Sequence, residues 1–389
     1  MRHQLAAYSP VSGKIILRGA VGVLRDQRKA LEDELMLRFS ARDCSLYDSG
    51  THALQVAIGS ARVKAGTHCA IALPAFNCYD VATAAIAVGG DVMLYDIDPS
   101  TLAPDHDSLE RVLAAGARIV VIAPMYGIPV DWVTLAEQAN RHGAVLIEDA
   151  AQGHGGSYEG KPIGSLGEIT TLSFGRGKGW TGGGGGAVLL RGSGLRRPPS
   201  SGEWKVAEEF SLLLGLSIQW VLGRPGMYGI PRSIPMIHLG ETRYRAPSAE
   251  REMTKAGAAA LLRARADSDV EATARRAVAE QLIVRLGEIP RVRCTHCAVR
   301  GLPGYLRFPV RIAGGIRGLA ASARAKRLGV TQSYPTTLAQ VPALTQQLVN
   351  AGEGWPGAEE LARDLITIPT HSLVSVEERN EIIFQLMLG

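Results

Sequence analysis

Between residues 50 and 192 short apolar runs alternate with longer stretches in which apolar residues recur at helical spacing. The runs are CAIALPA (69–75), DVMLYDID (91–98), RIVVIAP (118–124), AVLIEDA (144–150), ITTLSF (169–174) and GAVLL (186–190). Between the earlier ones lie GTHALQVAIGSARV (50–63), DVATAAIAVG (80–89), DSLERVLAAG (107–116) and WVTLAEQANRHG (132–143). Runs that are apolar at nearly every position, rather than at every second one, suit strands covered on both faces. Their alternation with helices predicts an α/β fold with a mostly parallel sheet sandwiched by helices. This large domain is expected over 1–240, with a helical segment at its start. After residue 240 the pattern changes to Ala/Arg-rich helices (250–286), a strand-like YLRFPVRI (305–312), a helix-like stretch and a final helix. A smaller α+β domain is therefore expected over 241–389, joined through the Pro/Gly-rich GRPGMYGIPRSIP (223–235).

In open α/β sheets ligands bind beyond the carboxyl ends of the strands. Asp149 and Ser173 fall at such ends, and Lys178 stands in the following loop, so the three can open onto one crevice. The lysine is conspicuous: the chain has eight lysines against thirty-four arginines, and this one lies in SFGRGKGWTGGGGGAVLL (173–190). A phosphate-binding P-loop is excluded, because Gly179 follows the lysine and Leu172 stands where the first glycine would be. A dinucleotide fingerprint fails at Trp180.

The chain of 389 residues is 46% hydrophobic with 45 Gly and 20 Pro, which excludes a disordered or fibrous protein. The net charge of +5 is made of scattered rather than clustered cations, so no nucleic-acid partner is expected. Five cysteines and a start without a continuous apolar stretch point to a reducing cytoplasm. Cys294 and Cys297 have CxxC spacing, but no second pair completes a metal site, and none is expected. The apolar FSLLLGLSIQWVLG (210–223) is too short to cross a membrane, which needs about 20 residues. Its apolar residues spread around a helix, as they would beneath a subunit contact.

Four requirements of pyridoxal 5'-phosphate can be met here: an amine for a Schiff base, a carboxylate for the pyridine nitrogen, a phosphate cradle and a flat group over the ring. Lys178 supplies the amine and Asp149 the carboxylate. Gly50 and Thr51 open a helix suited to an anion, with Ser173 in reach. The motifs SGTHAL (49–54), DIDPSTL (96–102), IEDAAQGHGGSYEGKPIGSLGEI (147–169) and SFGRGKGWTGGGGGAV (173–188) resemble the DegT/DnrJ/StrS family of pyridoxal-phosphate-dependent sugar aminotransferases. Further resemblance lies in VTQSYPTTL (330–338) and LARDLITIPTHSLVSVEE (361–378).

The resemblance implies the type I fold of these enzymes, with a seven-stranded-type sheet, and a homodimer with active sites at the subunit interface. It implies that Lys178 is catalytic and carries the cofactor. It further implies that Asp149 faces the ring nitrogen, that Gln152 lies by the ring, and that Gly50, Thr51 and Ser173 hold the phosphate. The stacking aromatic falls at Tyr79, with Phe76 as runner-up. Tyr334 and His154 are candidate substrate contacts. The implied reaction is a ping-pong transfer of an amino group from an amino-acid donor, glutamate above others, to a keto acceptor such as a nucleotide-linked keto sugar. A dehydratase or lyase of the same fold, and a non-catalytic sensor, are the alternatives. Deoxygenating relatives replace the lysine by histidine, so Lys178 speaks against the first; a pure binder need not keep Lys178, Asp149 and Ser173 together. The usual N-terminal family segment is not recognisable in 17–40.

Overall fold

The computed structural model describes residues 3–66, 69–192, 206–229 and 243–388. Its strands are β1 (Asp43–Tyr47), β2 (Ala70–Pro74), β3 (Val92–Tyr95), β4 (Ala117–Ile122), β5 (Val145–Asp149), β6 (Ser157–Tyr158), β7 (Lys161–Pro162), β8 (Ile169–Ser173), β9 (Gly186–Leu190), β10 (Arg293–Cys294), β11 (Gly301–Leu302), β12 (Phe308–Arg311), β13 (Thr331–Gln332) and β14 (Leu365–Ile368). Seven form the main sheet, in the order β1-β9-β8-β5-β4-β2-β3. The five apolar runs from β2 to β8 pair in parallel, while β9 runs antiparallel to both β8 and β1. Every residue of β2 and of β9 is buried, which explains why these segments read as unbroken apolar runs.

The crossover helices are α3 (Gly50–Ala65), α4 (Tyr79–Val88), α5 (His106–Ala114) and α6 (Trp132–Arg141), preceded by α1 (Gly13–Leu24) and α2 (Arg28–Phe39). Short polar side chains start several of them by accepting an otherwise unpaired backbone N–H: Ser49 from His52, Asp105 from Ser108 and Asp131 from Thr134. Strands β1, β2, β3, β4, β5 and β8 run in one direction, so their carboxyl ends lie at one end of the sheet, where Asp149 and Ser173 share a cavity with the start of α3.

Beyond α7 (Val206–Leu222) comes the 33-residue α8 (Lys255–Gly287), packed along α1. Four strands then form a second, antiparallel sheet in the order β10-β12-β14-β13, accompanied by α9 (Ser322–Arg327), α10 (Pro356–Asp364) and α11 (Val376–Met387). A small sheet, β11-β6-β7, ties residues 301–302 to the large-domain hairpin. The expected linker at 223–235 lies partly outside the described residues. Among the described residues no helix is long and apolar enough to cross a membrane, no cysteine is in a disulfide, and no cluster of candidate metal ligands occurs.

Candidate active site

Two cavities meet at Lys178. The smaller, about 370 Å³, lies at the strand ends and is lined by Gly50, Thr51, Asn77, Asp149, Ser173 and Arg245 among others. The larger, about 800 Å³, opens toward the second sheet and is lined by Tyr8, Trp220, Arg307, Ser333 and Tyr334 among others. Cys78, Gln152, Arg176 and Lys178 border both.

The lysine loop leaves β8 and turns through Gly177 and Gly179, at φ +76° and +83°, a region in which side chains other than glycine are strained. Behind it lies Arg275, whose charged end is fully buried and donates to the carbonyls of Gly304 and His154. Burial pushes that guanidinium down to about 10.

Asp149 ends β5. Its Oδ1 accepts from the Ala151 N–H at 3.1 Å and from the Thr171 hydroxyl at 3.2 Å. Burial pushes its carboxyl above the ordinary value, opposed by the nearby Lys178 charge. The neighbouring Glu148 has another task. Fully buried, it accepts from the backbone N–H groups of Gly164, Leu166 and Gly167 and from the Thr170 hydroxyl, and so fixes the loop that leads into β8.

The start of α3 presses against Ser173. A Cβ added at Gly50 would stand 2.5 Å from both Cβ and Oγ of Ser173, so glycine is what permits this approach. Helix terminus and hydroxyl thereby form one wall of the smaller cavity, an arrangement suited to a phosphate.

Gln152 links the turn after β4 to the segment after β13. Its Oε1 accepts from the Tyr126 N–H at 3.2 Å, and its Nε2 donates to the Tyr334 hydroxyl at 2.9 Å. Tyr126 adopts φ +56°, ψ +16°, and its hydroxyl is hydrogen-bonded to Ser333. Burial raises the Tyr334 phenol well above its usual range, so it stays protonated and neutral.

Lys178, Asp149, Gln152, Gly50, Thr51 and Ser173 therefore share the smaller cavity, and Tyr334 lines the larger. Tyr79 and His154 line neither. Tyr79 begins α4, is buried, and bonds through its hydroxyl to Thr336. Phe76 packs edge-on against Tyr334 at 5.4 Å between ring centres. The turn expected to bring an aromatic ring to the cavity brings Cys78 instead, its thiol pushed up to about 11 by burial. His154 is buried with its Nε2 on the Ser268 carbonyl, and desolvation lowers it to about 3. Its imidazole is thus neutral and belongs to the packing around Trp180.

Sequence reasoning missed Asn77, Cys78, Arg176, Arg245, Arg307 and Ser333. Arg176, two residues before the lysine, was open to inspection. The others come from segments whose approach to the site only the fold reveals. Asn77 matters for the cofactor. Its Oδ1 accepts from the Cys78 N–H, while its buried Nδ2 lacks a partner and borders the cavity. An unsatisfied buried donor, a buried carboxylate with one oxygen to spare, an amine and a helix start with a hydroxyl together fit a phosphorylated pyridine aldehyde.

The fold is shared with solved sugar aminotransferases such as CalS13 from Micromonospora echinospora, at a TM-score of 0.75 and 20% identity over 98% of this chain and 99% of that one. A structure of AtS13 from Actinomadura melliaura superposes with a TM-score of 0.77, covering 100% of this chain and 99% of that one at 20% identity. Residues 16–197 match the sequence model of the DegT/DnrJ/EryC1/StrS aminotransferase family. The L-glutamine:2-deoxy-scyllo-inosose aminotransferase of Streptomyces kanamyceticus is 36% identical over 146 residues, 38% of this chain and 34% of that protein. The 3-amino-5-hydroxybenzoate synthase of Amycolatopsis mediterranei is 31% identical over 165 residues, 42% of each chain. The matches thus span well under half the length of these relatives.

Proposed function

We propose that the protein is a pyridoxal-phosphate-dependent aminotransferase that carries an amino group from an amino-acid donor to a keto acceptor of the keto-sugar class. The observation that carries this is the meeting of Lys178 and Asp149 in one cavity with the start of α3 and Ser173. When bound, pyridoxal phosphate supplies an electron sink for the pair of electrons released at the substrate Cα. Lys178 would hold that group through its amine and, once displaced, move a proton from the substrate Cα. Asp149, as an anion, would keep the ring nitrogen protonated. Asn77 and Gln152 would meet the ring's substituents, and Gly50, Thr51 and Ser173 the phosphate.

The working form we propose is a homodimer. In support, α7 leaves Phe210, Leu214, Ile218, Trp220 and Val221 exposed, a set that a second subunit would cover. Sedimentation tests this part, and a fully active monomer would exclude it.

Borohydride reduction of the protein loaded with pyridoxal phosphate, followed by peptide mapping, tests the site. Label on Lys178 is expected, and label on another lysine would refute the assignment. Single-turnover absorbance changes with amino donors, then with a panel of keto sugars, test the reaction.

A further inference from the structure

The loop that carries Lys178 has little support of its own. Gly175, Gly177 and Gly179 alternate with Arg176 and Lys178, and glycine leaves a backbone more conformational freedom than any other residue. Among the described residues two hydrogen bonds hold the backbone of 175–179. One is internal, from the Lys178 N–H to the Gly175 carbonyl at 3.2 Å. The other reaches 170 residues along the chain: the Gly179 N–H donates to the Ser9 hydroxyl at 2.9 Å. Gly179 is buried and Ser9 is only 2% exposed, so the loss of this bond would leave the N–H without water in its place.

Ser9 ends a segment, residues 3–9, that belongs to no helix or strand and lines the larger cavity with Leu5, Ala6, Ala7 and Tyr8. Its other end is fixed by residues late in the chain. The Gln4 N–H donates to the Arg327 carbonyl at 2.8 Å, and the Gln4 amide donates to the Leu373 carbonyl and to Glu378. His371, kept neutral by burial, donates through Nε2 to the Leu5 carbonyl at 2.9 Å. Ala7 then passes beside the lysine loop: a Cβ at Gly177 would rest 3.7 Å from its own, an ordinary contact. The segment is thus tied at residues 4 and 5 to one side of the cavity, and at residue 9 to the loop that carries the amine.

We infer that residues 3–9 form a strap that positions Lys178, with Ser9 as the positioning residue whose hydroxyl fixes the loop next to the amine. In the proposed reaction the amine has two tasks, holding the cofactor and moving a proton at the substrate Cα. Both require it on the border of the two cavities, where it lies. A glycine loop tied at Gly179 keeps it there; an untied one spreads it over several placements. The inference rests on the aminotransferase function proposed above and adds a residue outside the cofactor cavity on which the placement of the lysine depends.

The test uses full-length protein loaded with pyridoxal phosphate, in wild type, Ser9→Ala and Ser12→Ala. Ser12 serves as the control, because it follows closely in the chain and its buried hydroxyl has no partner among the described residues. The amination half-reaction is followed by absorbance with L-glutamine and L-glutamate in turn. In Ser9→Ala the limiting rate should fall on the order of 10- to 100-fold, as misplacing a reacting group by about 1 Å implies. The half-saturating donor concentration should stay within about threefold, because the donor's own contacts are untouched. Ser12→Ala should match wild type in both. Borohydride label on Lys178 establishes that each variant is loaded.

A limiting rate in loaded Ser9→Ala equal to that of Ser12→Ala overturns the proposal, whatever happens to the melting temperature. So does a change confined to donor half-saturation, which would make Ser9 a substrate contact. Should Ser9→Ala not fold, Gln4→Ala loosens the strap at its other end and is read in its place: a reduced limiting rate supports the strap, and an unchanged one refutes it. Should wild type aminate with no amino acid, the aminotransferase function fails separately. Hydrogen exchange of the peptide around Gly179, measured without donor, then decides about the tie: exchange about tenfold faster in Ser9→Ala than in Ser12→Ala keeps it, and equal exchange removes it.

Discussion

The contact between α3 and Ser173 gives a substitution pair of opposite sign within one helix. At Gly50 an added Cβ would meet Ser173 Cβ and Oγ at 2.5 Å and the Ser173 Cα at 3.2 Å. Carbon atoms rest at about 3.5–4.0 Å, so the overlap is about 1 Å against a side chain rooted in β8. Overpacking of this kind costs about 1–3 kcal/mol. Alanine returns up to about 1 kcal/mol of helix propensity. Gly50→Ala should therefore lose up to about 2 kcal/mol, while Gly59→Ala, where nothing stands within 4 Å of the new atom, should gain up to about 1 kcal/mol. With about 2.1 cal/mol/K of unfolding entropy per residue over a chain of this length, each kcal/mol moves the melting temperature only about 1 °C. The sharper assay is cofactor retention. Shifting the α3 start away from Ser173 disturbs the proposed phosphate wall, and loss of one charged hydrogen bond there would weaken pyridoxal phosphate about tenfold or more by equilibrium dialysis. Gly59→Ala should bind it as wild type does. Equal stability and equal cofactor affinity in Gly50→Ala would refute both the steric argument and the phosphate assignment.

Three further outcomes follow from the site. Asp149→Asn keeps the shape and hydrogen bonding of the side chain without its charge, so cofactor should still bind while turnover falls at least about a hundredfold, roughly 2.7 kcal/mol of barrier; near-normal turnover would remove Asp149 from its role. Cys78 borders both cavities, yet burial pushes its thiol up to about 11, so at pH 8 only on the order of one thiol in a thousand is ionised. Its alkylation, followed by mass spectrometry, should be slow at pH 8 and accelerate steadily toward pH 10; fast labelling at pH 7 would contradict the burial. His154 and His371 are lowered to about 3 and about 4 by burial and are neutral when folded. The unfolded chain binds their protons below about pH 6.5, so stability should fall as pH drops from about 6.5 toward 4, and His371→Gln should flatten that slope in melting curves.

The large-domain elements were legible because the physics that forms them is local. An apolar run such as RIVVIAP has to be covered on both faces, and it became β4. The start of α3 could be seen in Gly50 and Thr51, and the cavity shared by Asp149, Ser173 and Lys178 in their expected place at strand ends and in the following loop. β1 was not foreseen: DCSLY is short and mixed, and it is a strand because β9 pairs with all five of its residues. The second wall of the site was likewise beyond reach, since Arg307 and Ser333 line the larger cavity beside strands paired antiparallel far along the chain, which no local periodicity encodes.

The segment 74–86 shows most clearly where a motif stops being informative. The resemblance put Tyr79, with Phe76 as runner-up, over the proposed cofactor ring. Here α4 starts at Tyr79 itself, so the tyrosine points to Thr336, Phe76 packs on Tyr334, and Asn77 and Cys78 are left to face the cavity. The two aromatic side chains pack against Thr336 and Tyr334 rather than lining the cavity. A ring bound there would meet a thiol and an amide in place of a flat hydrocarbon face, so less of its retention would come from stacking. More would then fall to charge and hydrogen bonding, at Asp149, Asn77, Ser173 and the start of α3.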